Sequence, residues 1–133
     1  MVYSASATIL VNRFCKVSGD NTVSTQTTSG GNTIGISQDG GRYAPVPSNT
    51  ANPVEAAQTG EDLIIHLEGE PGAFPMLLLG TGGAAAGGEL MSDTAGKGIP
   101  ATVGKYVGAR ALVAGSAGDT IPVQVVGYVK EAA

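Results

Sequence analysis

Gly60-Glu-Asp-Leu-Ile-Ile-His-Leu-Glu-Gly69 and Gly118-Asp-Thr-Ile-Pro-Val-Gln-Val-Val-Gly127 are two versions of one pattern. Each opens on glycine followed by an acid and closes on glycine. Between them Leu63, Ile65 and Leu67 match Ile121, Val123 and Val125. Alternation at period two puts each trio on one face of a strand, so all six side chains are expected to point inward. A shorter strand precedes each copy: Ile34-Gly-Ile-Ser37 before the first and Val107-Gly-Ala-Arg110 before the second. A third glycine–acid start, Gly88-Glu89, leads into Leu90-Met91. The copies are too few and too unequal for a solenoid. They predict one β domain over residues 33–133 with two related halves.

Turn chemistry agrees with strands. Asp39-Gly-Gly41 and Asp93-Thr-Ala-Gly96 are hairpin signals, in which the carboxylate accepts local backbone bonds and glycine supplies positive φ. Pro45, Pro47 and Pro53 make residues 43–54 an extended loop rather than a central strand. Pro122 requires its strand to be an edge, or bulged, at that point. Ala56-Ala57 and Ala84 to Ala86 each have the composition of a single helical turn. No window sustains a 3.6-residue period, and 21 glycines in 133 residues argue against a helical bundle. The expected fold class is all-β, a small β-barrel or β-sandwich with an extended N-terminal arm.

The arm is residues 1–32. It holds an apolar patch, Ile9, Leu10 and Val11, with Phe14 close behind. A run rich in Ser, Thr, Gly and Asn follows from Ser18 to Asn32. Such a stretch buries little by itself, which predicts that a partner orders it, by strand addition onto a neighbouring subunit or surface. Ile9, Leu10, Val11, Arg13, Phe14 and Lys16 are therefore the candidate contact residues, the two cations suiting an acidic partner.

The chemistry-bearing residues are sparse. Eleven acids and seven bases give a net charge of −4, and no basic cluster offers the counterion release that nucleic-acid binding needs. Met76-Leu-Leu-Leu79 followed by Gly80-Thr-Gly82-Gly-Ala-Ala85 imitates a strand entering a dinucleotide-binding turn. Gly87-Gly88 would break the helix which that site requires, so a buried strand entering a Gly/Ala turn is the better reading. His66 is the single histidine and lacks a second metal ligand or a nucleophile beside it. Ser116 lies in Gly115-Ser-Ala-Gly118, which has the wrong spacing for a nucleophile elbow. Cys15 reads as a small buried apolar residue and, being alone, allows no intrachain disulfide. Glu61, Glu89 and Asp119 read as solvated carboxylates at strand starts. No catalytic residue, metal site or cofactor is expected. The apolar run from Met76 to Gly88 is too short for a membrane span, and the start of the chain has no signal-peptide pattern. A soluble protein made in a reducing cytoplasm is expected.

Ile34-Gly-Ile-Ser-Gln38, Ala57-Gln-Thr-Gly-Glu61, Gly87-Gly-Glu-Leu-Met-Ser-Asp-Thr-Ala-Gly-Lys97, Val107-Gly-Ala-Arg-Ala-Leu112 and Gly118-Asp-Thr-Ile121 follow one another in an order and spacing that resembles the capsid cement, or head decoration, proteins of tailed bacteriophages. The likeness runs over about residues 12–130. The Pro-rich loop at 43–54 departs from the family pattern. The resemblance implies a non-enzymatic virion protein, made in the bacterial host's cytoplasm and bound to the outer capsid surface. Its partners would be the major capsid protein and two further copies of itself in a homotrimer. Its task would be to hold neighbouring capsid subunits together. A head fibre, a tail accessory, or a small host- or carbohydrate-binding β domain are the alternatives.

Overall fold

Two curled sheets packed against each other make up the structure, a computed structural model that describes residues 2–38, 55–57, 60, 62–67 and 74–131. Twelve strands run through these residues. The first sheet is a closed barrel in the order β1 (Val2–Ala5), β4 (Thr22–Thr25), β3 (Phe14–Gly19), β5 (Gly35–Ser37) and β7 (Asp62–Leu67). The second has the order β10 (Gly98–Pro100), β9 (Glu89–Ser92), β11 (Tyr106–Ala111), β12 (Thr120–Val129) and β8 (Met76–Leu78). Its two outer strands meet where Leu79 bridges Gly98, so this sheet also nearly closes. A two-residue strand β2 (Ile9–Leu10) pairs with β6 (Glu55–Ala57). The all-β expectation holds.

The sequence repeat reappears as two antiparallel pairs, β5 with β7 in the barrel and β11 with β12 in the second sheet. The glycine that opens each copy sits in the left-handed region, at φ 84° for Gly60 and 90° for Gly118. A side chain there would be strained, which explains why both copies begin on glycine. Ile65, Val123 and Ile121 are buried and Val125 nearly so, while Leu67 packs half-buried on the barrel cluster. The side chains of Leu63 and His66 fall outside what the structure describes, as do residues 39–54 with their hairpin and proline signals, Glu61 and Glu68.

Three cores follow. The barrel interior holds Ala5, Ile9, Cys15, Val23 and Ile65. The largest cluster lies between the sheets and combines Phe14 and Ile36 of the barrel with Leu77, Leu79, Leu90, Ala109, Ala111, Ile121, Val123 and Val125. Burying each large side chain contributes about 1.5–3 kcal/mol. A smaller cluster of Met91, Ala101 and Val107 lies apart from it, with Val126 and Tyr128 packed alongside. Strand β12 serves both because one extra residue interrupts its register opposite Val107 to Ala109. This bulge re-aims the side chains beyond Val125.

Several expectations need correction. Residues 1–32 are not a separate arm: β1, β3 and β4 are three of the five barrel strands, and the sheets divide between Leu67 and Met76 rather than at residue 32. The polar composition is compatible with this because barrel closure satisfies backbone groups that a lone segment would leave to water. Asn12 and Asn21 adopt φ of 60° and 52°, which lets the chain turn sharply at the ends of β3. Ala56-Ala57 is strand, and Ala84 makes a two-way bridge with Gly115 (2.9 and 3.0 Å) instead of a helical turn. Pro122 lies in an interior strand, between β11 and β8. It faces Leu112, one residue past the end of β11, and its carbonyl accepts the Leu112 N–H at 3.2 Å. The donor it lacks thus falls at the last bond of that ladder, one residue past the end of β11.

Candidate interaction surface

The six candidate contact residues come together near the start of β3, but not as a surface. Ile9 and Phe14 are fully buried in two different cores of their own chain. Side chains so placed are closed to a partner. Arg13 is also buried. Its Nη1 donates to the Val11 carbonyl at 2.7 Å, and its backbone N–H donates to Ser37 Oγ at 3.2 Å. Burial lowers its pKa, opposed by the charge of Asp93. Asp93 belongs to the β9–β10 turn, where Oδ1 accepts the N–H groups of Ala95 (2.8 Å) and Lys97 (2.9 Å). In the same turn the Gly96 carbonyl accepts the Phe14 N–H at 2.7 Å. The Phe14 N–H bond to Gly96 therefore ties the start of β3 to the second sheet, with Arg13 buried beside it. Leu10, Val11 and Lys16 keep partial exposure.

Cys15 faces the barrel interior. Burial pushes its thiol up to about 12, against weaker opposing hydrogen bonds with Ser37. It has the character of a small apolar residue, as its sequence context indicates. The Gly80–Ala85 stretch is a tight turn. A side chain on Gly83 would begin 2.3 Å from the Gly115 carbonyl oxygen, so close backbone contact explains the glycine and no phosphate loop is formed. Among the described residues, no three His, Cys, Asp or Glu side chains are placed to hold a metal ion.

Exposed apolar residues gather on the outer face of the second sheet. Strand register sets Met76 opposite Pro122, and Pro122 faces Leu112. Met76 and Leu112 are exposed, with Phe74 (56% exposed) and Val113 beside them in sequence. Met76, Pro122 and Leu112 form an apolar strip across β8, β12 and the end of β11. The next row along the face is polar, Gln124 opposite Arg110 and Arg110 opposite Glu89. Arg110 Nη2 donates to Tyr128 Oη at 2.9 Å, and that hydroxyl donates to Glu89 Oε2. Lys130 Nζ stands 3.6 Å from Glu89 Oε1 and donates to the Ala101 carbonyl at 3.2 Å. The Tyr128 hydrogen bond, more than the nearby cations, lowers the Glu89 pKa; the same bond raises that of Tyr128.

This network holds one carboxylate, one hydroxyl and two cations at fixed positions beside an apolar strip. Such a mixture suits recognition of another protein, with an apolar centre and a polar margin. Sequence reasoning missed it. The bulge that sets Tyr128 beside Glu89 leaves no mark in the alternation pattern.

No family model matches the chain, and no curated protein does. Among solved structures it is similar to the N base of the head fibre protein gp8.5 of bacteriophage phi29, with a TM-score of 0.62 and 14% sequence identity. The match covers 95% of this chain and 92% of that one. At this identity the likeness establishes a shared fold.

Proposed function

We propose that this protein is a non-enzymatic structural component of a bacteriophage head, of the kind that forms the base of a head fibre. The observation that carries the reading is the fold likeness to a head fibre base over nearly the entire length of both chains. The strip of Met76, Pro122 and Leu112 beside the Arg110–Tyr128–Glu89 network is a surface of the kind that such a role requires.

Cementing of neighbouring major-capsid subunits is the second reading, favoured by the ordered motifs between Ile34 and Ile121 that resemble head decoration proteins. Both readings put the protein on the virion exterior with the major capsid protein as partner. Both favour a homotrimer, since closed three-fold symmetry matches one protein to three surrounding subunits. Many weak contacts repeated over a shell then give firm attachment through avidity.

An electron cryomicroscopy map of mature heads, beside heads lacking the protein, tests the proposal. Density for this fold at the foot of a projecting fibre supports the first reading. A copy at every three-fold position, with early rupture of heads that lack it, supports the second. Absence from purified heads overturns both.

A further inference from the structure

Strand β3 is paired along its whole length on one side and along only its first two residues on the other. Phe14 and Cys15 register with Ile36 and Gly35, and β5 has no residue opposite Lys16 to Gly19. The backbone directions follow from the bonds already made. Ser37 N–H donates to the Arg13 carbonyl (2.9 Å) and Ile34 N–H to the Cys15 carbonyl (2.9 Å), so odd-numbered residues aim at the β5 side. Gln26 N–H donates to the Phe14 carbonyl (2.9 Å), so even-numbered residues aim at β4. Val17 therefore points its N–H and C=O away from β4 into the space where β5 is missing. Neither group has a partner among the described residues.

A cavity of about 460 Å³ opens at this place, lined by Lys16 and Val17 of β3, by Gln26, Thr28 and Asn32, and by Thr33 and Ile34 just before β5. Part of its wall is held in place. The Gln26 side chain is buried, its amide donates to the Asn32 carbonyl, and its Oε1 accepts the Thr28 N–H at 3.0 Å. The Val17 side chain is 54% exposed, although it continues the register that buries Cys15. Lys16 forms no ion pair with any described residue. An unpaired strand edge, a fixed slot beside it and an uncommitted cation meet at one place.

We propose that this slot takes an extended segment of another polypeptide carrying a carboxylate, which adds to β3 as a short strand. The incoming backbone pairs with the N–H and C=O of Val17, its apolar side chain covers Val17, and its carboxylate pairs with Lys16. A strand edge recognises backbone first and side chains second, so affinity comes from the hydrogen bonds and selectivity from the charge. The inference rests on this geometry and is independent of the virion reading.

Nitrogen-15 amide spectra of the full chain test it. The probe is a capped seven-residue peptide of alternating valine and threonine with a central glutamate, beside its glutamine counterpart. In the free protein the Val17 amide should exchange with solvent far faster than that of Cys15. The glutamate peptide should protect Val17 and shift Thr28 and Asn32. The glutamine peptide should bind at least tenfold more weakly. Lys16→Glu, at a half-exposed side chain, should weaken the glutamate peptide at least tenfold while leaving the spectrum folded. Val17→Pro, which deletes the donor at an edge position, should abolish the shifts. A Val17 amide already protected in the free monomer overturns the proposal. So do peptide shifts that map elsewhere, or Val17 protection that rises with protein concentration alone, which would show that copies pair with each other.

Discussion

The pairs β5–β7 and β11–β12 share a sequence pattern and use it in opposite ways. In the second sheet Ala109 and Ala111 stand opposite Val125 and Val123, and all four enter the core between the sheets. In the barrel Gly35 and Ser37 stand opposite Leu67 and Ile65, while Ile36 pairs with His66 and turns outward into that same shared core. Aligned by sequence, Ile36 corresponds to Ala109, yet the two fall on opposite faces relative to their partner strands. A one-residue change of register flips every side chain. The cause is space. A five-stranded barrel is narrow inside, and its lining includes Ala5, Cys15, Val23 and Ser37. Glycine and serine fit there beside Ile65 and Leu67, whereas Ile36 is accommodated outside, against Phe14. An alternating pattern thus establishes that a segment is a strand with two unlike faces. The volume around it decides which face is used.

The largest effect should come from placing a charge in either core. Ile65→Asp and Val123→Asp are both expected to unfold the chain, because an isolated carboxylate in an apolar interior lacks compensation. Gln124→Ala, on the opposite face, should be tolerated. Circular dichroism of the three variants checks this, and a folded Ile65→Asp would show that the barrel interior is not a core. Next comes Phe14→Ala, at the junction of barrel and sheet, expected to cost about 3–5 kcal/mol in urea unfolding. Amide exchange should rise in β7 and β12 alike. Loss confined to the barrel would mean that the two sheets are separate cooperative units.

Gly96→Ala acts on the same junction. Gly96 has φ 78°, and an added methyl would stand 2.6 Å from Thr25 Cγ2 and 3.1 Å from the Phe14 carbonyl oxygen. A loss of about 1–3 kcal/mol is expected from the strain, read as a lower melting temperature. Cys15 then offers a pH test of the barrel interior. Its thiol is pushed from an ordinary 9.0 up to about 12. Between those values the unfolded chain releases a proton that the folded chain keeps, so the unfolded state binds fewer protons and stability falls as pH rises. Cys15→Ala should flatten the decline between pH 9 and 12, and the native thiol should resist alkylation until the chain unfolds. The smallest effect should be at Arg110. Arg110→Ala is expected to change stability by no more than about 0.5 kcal/mol. On the proposed role it should weaken attachment to heads, measured by co-sedimentation.

The sequence by itself determined the strand content, the inward faces at Ile65, Ile121, Val123 and Val125, the turn at Asp93–Gly96 and the burial of Cys15. These are local matters: period two, glycine at positive φ, a carboxylate accepting neighbouring N–H groups. Only the tertiary structure decided that Tyr3, Phe14 and Val23 belong to a barrel closed by β7, about forty to sixty residues further along the chain. Strands this short bury too little to be recognised alone, and they are stable because each finds a partner on both sides. Tertiary structure also decided that Arg13 is buried rather than an exposed contact, and that Tyr128 reaches Glu89. Both outcomes depend on which distant strands lie side by side and where one of them bulges. Alternation in sequence is blind to that, because a strand's period is the same whichever neighbour it pairs with.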